Sequence, residues 1–225
     1  MTRPAPSPAR SEREGLAAAL LAAGPDAPTL CAGWTALDLA AHVVVREHRP
    51  DAAAGLLGGP LGGWSERVRR RAADRGLTAL VTQLRAGPPP WSVFALPGVD
   101  ARANLLEYLV HHEDVRRADG GGPRAVADEP DGLREATWRA LGVAGRLLTR
   151  RVAGGVVLRR DDDPAGGPGA AGRERVLRDG DDPVTLVGSP VELALYLYGR
   201  SGVAAVGVEG SPVARRRLAD GDLSL

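Results

Sequence analysis

The sequence contains no lysine, so arginine supplies all 29 of its basic residues. With 28 acidic residues the formal net charge is only +1, and this balance does not indicate binding to nucleic acid or to a membrane surface. A GC-rich genome explains the preference for arginine, alanine, glycine and proline. A single arginine is therefore weak evidence for a specific role.

Cysteine and long apolar runs are also scarce. Cys31 is the one cysteine, which excludes an internal disulfide and is typical of a reducing compartment. No apolar run approaches the roughly 18 residues that a membrane span needs. The polar, proline-rich start of the chain lacks the apolar segment of a signal peptide, and we expect residues 1–9 to be a disordered lead. These features predict a cytoplasmic protein.

Helical patterns dominate residues 10–150. The first two helices have N-cap signals, because Ser11 is followed three residues later by Glu14, and Thr35 by Asp38. Glycine and proline clusters end the helical patterns. We predict five helices, over residues 11–23, 35–49, 64–85, 101–118 and 132–150.

The pattern changes after Arg150. Short β-branched runs, separated by Asp, Gly and Pro, predict strands at VVLRR, RERVLRD, PVTLVG and AAVGVEG. The segments PVELALYLYGR and SPVARRRLAD predict two further helices, and DDDPAGGPGAAG a flexible loop. The predicted fold class is therefore α+β, with a helical bundle over residues 10–150 and a small α+β domain over residues 151–225.

Two of the four histidines are adjacent in the segment EYLVHHEDVRR, residues 107–117. Successive residues of a helix turn by about 100°, so Glu107 and His111 share a face while His112 points away. His42, on the second helix, also borders an apolar stripe. Buried carboxylates and imidazoles need a partner or a cation. These three side chains could converge on a divalent ion such as zinc, with an open coordination position.

Other interpretations of these residues remain open. Glu107 and His111 could form an ordinary ion pair, because this spacing is common by chance, with His42 a core histidine. A structural or regulatory metal site would close its coordination with His112 or Asp114. Cys31 is expected to pack on Trp34, and His48 to mark a helix end. We expect solvated faces for five arginines: Arg69, Arg70, Arg71, Arg116 and Arg117.

Two segments of the sequence, around His42 and around Glu107, resemble the mycothiol-dependent maleylpyruvate isomerase family, whose members are DinB-like four-helix-bundle proteins. Residues 31–42 are similar to its C-x-G-W-[ST]-x-x-D-x-x-x-H motif. Residues 104–117, NLLEYLVHHEDVRR, resemble the E-x-x-x-H-H-E-D-V-R-R segment of an uncharacterised actinobacterial metal-binding branch. Residues 187–200 are similar, more loosely, to the small C-terminal α+β domain of the family.

The resemblance implies a metal-dependent function. Its divalent-metal ligands fall on His42, Glu107 and His111, and mycothiol is the thiol cofactor of the family. We therefore expect an isomerase or S-transferase that acts on a small electrophilic substrate. The family's isomerase substrate does not carry over, because the sequence is closer to the uncharacterised branch. The alternative is a structural or regulatory metal-binding module without turnover.

Arg200, at the end of PVELALYLYGR, is a candidate catalytic residue. An arginine there could hold a substrate carboxylate through two parallel hydrogen bonds. It could equally complement the dipole of the preceding helix. The expected partners are a small-molecule thiol and an electrophile, without nucleic acid or membrane, and the chain is expected to be a monomer or homodimer.

Overall fold

The computed structural model describes residues 5–53, 62–162, 174–221 and 223, and these contain both helices and a β-sheet. The α+β class predicted from the sequence is confirmed. The chain divides into two compact units, the first ending at Gly122 and the second beginning at Pro123. Most of the predicted flexible loop, and the first four residues of the predicted lead, lie outside the described ranges.

The first unit is helical. Helix α1 (Pro8–Ala23) packs on α5 (Leu77–Ala86) and α7 (Leu105–Arg116), and α2 (Ala36–His48) packs on α4 (Gly62–Ala73) and α5. A π-helical segment, Asp100–Asn104, leads into α7. The helices are α1 Pro8–Ala23, α2 Ala36–His48, α3 Pro50–Ala53, α4 Gly62–Ala73, α5 Leu77–Ala86, α6 Pro97–Val99 and α7 Leu105–Arg116.

One apolar core is shared by α1, α2, α5 and α7. Burial of each large apolar side chain contributes about 1.5–3 kcal/mol, so this core fixes the helices that carry the candidate site. None of the described helices is both long enough and apolar enough to cross a bilayer. The core includes the fully buried side chains of Leu16, Leu20, Leu39, Val43, Leu80, Leu84 and Tyr108.

The start of α2 follows its sequence signal. The Thr35 hydroxyl accepts a hydrogen bond from the Asp38 amide at 3.3 Å, and the Asp38 carboxylate accepts one from the Thr35 amide at 3.1 Å. Asp38 also receives a hydrogen bond from Arg69 on α4. Arg69 is buried, as is Arg117, which pairs with Glu113. The prediction of solvated faces is wrong for these two arginines, because carboxylates inside the unit neutralise them.

Two helix boundaries differ from the sequence prediction. Helix α1 begins at Pro8 with Ser7 as its N-cap, so the predicted disordered lead is wrong for residues 8–9. Proline suits this first helical position because the missing N–H would have had no partner there. The predicted helix over residues 64–85 is broken between α4 and α5, where Gly76 adopts a φ of +80° that glycine accepts without strain.

The described residues of the second unit form three α-helices and a four-stranded sheet, whose strands lie in the order β2 (Glu174–Arg178), β1 (Val156–Arg160), β3 (Val184–Gly188) and β4 (Gly207–Glu209). Strands β1 and β3 are parallel, and the other two neighbouring pairs are antiparallel. The strands and helices predicted after residue 150 are all present among the described residues. They are α8 Leu133–Leu148, β1 Val156–Arg160, β2 Glu174–Arg178, β3 Val184–Gly188, α9 Pro190–Leu197, β4 Gly207–Glu209 and α10 Pro212–Asp220.

Helix α8 belongs to this second unit, so the division lies before it and not near residue 150. It packs against α9 and β2. Leu177 of β2 lies so close to Gly145 of α8 that a Cβ on the glycine would come within 2.7 Å of it. The apolar face of α8 is therefore covered by the sheet unit.

Candidate metal centre

Helices α2 and α7 bring His42, Glu107 and His111 together. His42 Nε2 lies 3.1 Å from Glu107 Oε1, and His111 Nε2 lies 3.3 Å from the same oxygen. The two imidazole rings meet nearly edge to face, with centroids 5.2 Å apart. One carboxylate oxygen therefore faces two histidine nitrogens, one from each helix.

This group of donor atoms could hold a metal ion. A tetrahedral ion with bonds of about 2.0–2.1 Å keeps its ligand atoms about 3.3 Å apart. The two nitrogen-to-oxygen distances at Glu107 Oε1 match this spacing. Two imidazoles and a carboxylate are also a donor set that zinc and neighbouring transition metals accept.

A second group of possible ligands, Cys31, His111 and Asp114, shares His111 with the first. Asp114 Oδ2 lies 2.8 Å from His111 Nδ1, and the Cys31 thiol donates to that carboxylate oxygen at 3.2 Å. The two groups use opposite nitrogens of the ring. Because fully buried Asp114 accepts the Nδ1 proton, the Nε2 nitrogen is left to face Glu107 and His42.

The charges around Glu107 favour a cation. Burial acts to raise the pKa of Glu107, but the Arg46 charge and hydrogen bonds from His111 and His42 outweigh it and hold that pKa well below the usual value. Burial acts to lower the pKa of His111, yet hydrogen bonds to Asp114, Cys31 and Glu107 raise it well above normal. The carboxylates of Glu107 and Asp114 on either side of His111 thus stabilise positive charge there, and a metal ion at Nε2 would take the place of the proton.

His42 differs from His111. Burial lowers the pKa of His42 in spite of its hydrogen bond to Glu107, so its imidazole is neutral at pH 7. Its Nδ1 atom is buried and has no hydrogen-bond partner among the described residues. The Trp34 ring lies 5.0 Å from the His42 ring and covers it. A neutral imidazole is the protonation state that a metal ligand requires.

Sequence reasoning missed Arg46, which lies one helical turn after His42. Its Nε atom is 3.6 Å from Glu107 Oε2, and its Nη1 atom donates to Asn104 Oδ1 at 2.9 Å. The guanidinium also stacks on the Phe94 ring at 4.0 Å. Arg46 lies four residues after His42, and this spacing places both on one face of α2. This signal was hard to recognise because arginine is abundant throughout the chain.

The remaining histidines and Cys31 have other partners. His112 Nδ1 lies 2.9 Å from Glu12 Oε2 of α1 and faces that helix. His48 Nδ1 donates to the Val44 carbonyl at 3.1 Å, at the end of α2. Cys31 packs beside the core near Trp34, as expected, but its thiol also contacts Asp114. His112 therefore takes no part in the candidate metal group.

Arg200 lies in the second unit, after α9. Its Nη1 atom donates to the Tyr198 carbonyl at 2.5 Å. The candidate metal group belongs to the first unit, and the role of Arg200 in holding a substrate anion stays a prediction.

Comparisons of the chain with models of known protein families, with curated proteins and with solved structures yield no match.

Proposed function

We propose that the first unit binds one zinc ion through His42, Glu107 and His111, and that the protein uses it in thiol chemistry. The observation that carries the proposal is the shared oxygen, because Glu107 Oε1 lies within 3.3 Å of the Nε2 atoms of both histidines. The proposed activity is that of an isomerase or S-transferase acting on a small electrophile.

The proposed fold of this unit is the DinB-like four-helix bundle. The apolar core shared by α1, α2, α5 and α7 supports this assignment, and so do the two motifs at residues 31–42 and 104–117. Mycothiol is the proposed cofactor because of that resemblance. The single cysteine of the chain is engaged with Asp114, which supports a thiol from outside the chain as the nucleophile.

When bound, zinc would lower the pKa of a coordinated thiol, so that a reactive thiolate exists at neutral pH. The side chains of the protein prepare the site for this. His42 presents a neutral imidazole, and Asp114 holds the His111 ring by its Nδ1 atom. Arg46, beside Glu107 Oε2, keeps that carboxylate ionised as a ligand.

The alternative, a structural or regulatory metal without turnover, needs a fourth protein ligand. Of the two residues considered for that position, His112 bonds to Glu12, and Asp114 bonds to the far nitrogen of His111. Their engagement favours a coordination position that a thiol can occupy.

Metal analysis of protein purified without chelator tests the proposal. We expect about one zinc ion per chain in the wild type and a large loss in Glu107→Gln and His42→Ala. His48→Ala, which removes a histidine outside the group, is the matched control and should retain the ion. The proposal fails if the wild type contains no metal and added zinc does not raise its melting temperature.

Turnover is tested separately with the zinc-loaded protein. Wild type is incubated with mycothiol and a panel of small electrophiles, and consumption of the thiol or isomerisation of the electrophile is followed. Activity that Glu107→Gln abolishes supports the enzyme. A zinc-loaded protein that leaves every electrophile unchanged supports the structural or regulatory alternative.

A further inference from the structure

A cleft between α2, α4 and α5 has a volume of about 390 Å³ and opens to solvent. This volume falls in the range of roughly 300–1,000 Å³ that is typical of small-molecule sites. None of its lining residues belongs to the candidate metal group. They are Val44, Val45, His48, Arg49, Val68, Arg71, Ala72, Arg75 and Gln83.

The floor of the cleft is apolar and its rim is cationic. Val44, Val45 and Val68 are buried, whereas the three arginines of the rim are exposed. Aspartate and glutamate are both absent from the lining residues. An apolar floor with arginines at the rim is complementary to a molecule with an apolar body and an anionic head.

Two of the three arginines keep their charge uncompensated. Arg49 binds Asp51 through two hydrogen bonds of 2.9 and 2.7 Å, which neutralises it. Arg75 donates to the neutral amide oxygen of Gln83 at 2.6 Å. In the described part of the chain, neither Arg71 nor Arg75 forms an ion pair, and residues 54–61, before α4, contain no acidic residue.

His48 does not alter this balance. Its Nδ1 atom donates to the Val44 carbonyl, and burial lowers its pKa, so the ring is neutral at pH 7. The positive charge that faces the cleft is therefore carried by guanidinium groups. These groups remain charged at any physiological pH and can bind a carboxylate through two parallel hydrogen bonds.

We propose that this cleft is a binding site for a soluble amphipathic anion, such as a medium-chain carboxylate. Arg71 and Arg75 bind the anionic group, and Val44, Val45 and Val68 contact the apolar body. Arginine suits the head group, and burial of the body on the valine floor supplies the hydrophobic part of the affinity. This site is independent of the proposed metal site.

Calorimetric titration with octanoate tests the proposal. Wild type should bind octanoate saturably, and the neutral analogue octanamide should bind at least about tenfold more weakly. The double variant Arg71→Gln/Arg75→Gln should lose about tenfold or more in octanoate affinity. The double variant Arg67→Gln/Arg70→Gln changes two exposed arginines of α4, the helix that carries Arg71, but both lie outside the cleft, and it should bind like the wild type.

His42→Ala separates this site from the metal centre, because octanoate bound to a metal ion would lose its affinity in that variant. We expect His42→Ala to bind octanoate normally. The proposal is overturned if the wild type does not bind octanoate, if the Arg71/Arg75 double variant binds it equally well, or if octanamide binds as tightly. Binding to anionic phospholipid vesicles without binding of free octanoate would also overturn it.

Discussion

Asp114 determines which nitrogen of His111 is available to an ion. The buried carboxylate accepts from Nδ1 at 2.8 Å, so the Nε2 atom faces Glu107. Carboxylates in this position fix the orientation of a ligating histidine and increase its basicity. Asp114 and Cys31 of the second possible metal group therefore orient His111 for the first group, rather than forming a separate metal site.

Replacement of Asp114 tests this role. Asp114→Asn keeps the size of the side chain but removes its charge, and should weaken zinc affinity by about 10–100-fold. Affinity is measured by competition with a chromophoric chelator. Cys31→Ser is the comparison, since it touches Asp114 but should bind zinc like the wild type. Unchanged affinity in Asp114→Asn would contradict the orienting role.

The buried carboxyl group of Glu47 predicts that the stability of the protein depends on pH. Its carboxyl group is fully buried on α2, where Tyr108 donates to Oε1 at 2.6 Å and Oε2 has no partner among the described residues. Burial raises the pKa of Glu47 from 4.5 to about 7, although the Tyr108 hydrogen bond and the Arg46 charge oppose it. The native state therefore holds this proton more tightly than the unfolded chain does.

The sign of the pH dependence follows from that raised pKa. Below pH 4.5 the contribution of Glu47 to stability is fully present, and it is lost as the pH rises to about 7. The loss is on the order of 3 kcal/mol, since each pKa unit is worth about 1.4 kcal/mol. Glu47→Gln should remove this dependence and be the more stable protein at pH 8. Urea denaturation of both proteins at pH 5 and pH 8 measures it, and parallel curves would contradict the assignment.

At this scale the helical angles predicted that Glu107 and His111 share one face, and the structure places His42 of α2 beside them; their role as metal ligands stays a prediction. The prediction from sequence failed for Arg69 and Arg117, whose burial depends on carboxylates that other parts of the unit supply. Their side chains look like any other arginine in an arginine-rich chain. The pairing of a buried charge is a tertiary property that local sequence does not encode.

At the scale of elements, α2 carries His42 and begins at a capping box. Thr35→Ala removes the hydroxyl that accepts from the Asp38 amide, and should destabilise the protein by about 1 kcal/mol. Thr82→Ala, at an exposed position of α5, is the matched control and should change the free energy of unfolding by less than about 0.5 kcal/mol. Thermal or chemical denaturation compares the two variants. Equal stability of both would show that the cap is dispensable.

Element boundaries were predictable where a local signal decides them. The capping box of α2 and the Ser-Pro starts of α9 and α10 are such signals, and the structure follows them. The break at Gly76 was not predicted, because an isolated glycine is also tolerated inside a helix. Whether the chain turns there depends on the packing of α4 and α5 on α2.

At the scale of the whole molecule, the two units divide before α8. The sequence could not predict this, because the apolar stripe of α8 would suit a bundle as well as a sheet. Which core covers such a stripe depends on distant residues, here Leu177 of β2 among others. The mixed fold class was predictable, and the assignment of this helix was not.

A fragment of residues 1–122 tests the division. All three proposed metal ligands lie within it, so it should fold and bind zinc with the affinity of the full chain. A fragment that ends at Arg150 should aggregate more readily, because it exposes the apolar face of α8 without its sheet. Circular dichroism and metal analysis measure the folding and the zinc content of both fragments, and light scattering measures their aggregation. A zinc-free, unfolded 1–122 fragment would show that the first unit depends on the second.

The shared oxygen of Glu107 also has a mechanical consequence. Two of the proposed ligands lie on α7 and the third on α2, 65 residues away along the chain. An ion held by all three would act as a removable cross-link that closes this long loop. Because the unfolded chain does not hold these three ligands together, the ion would stabilise the folded unit by mass action, by about 2.7 kcal/mol when free zinc is at roughly 100 times its Kd. The amide protons of α2 and α7 would then exchange with solvent more slowly in the zinc-loaded protein. The concentration of free zinc would thereby determine how long the first unit stays folded.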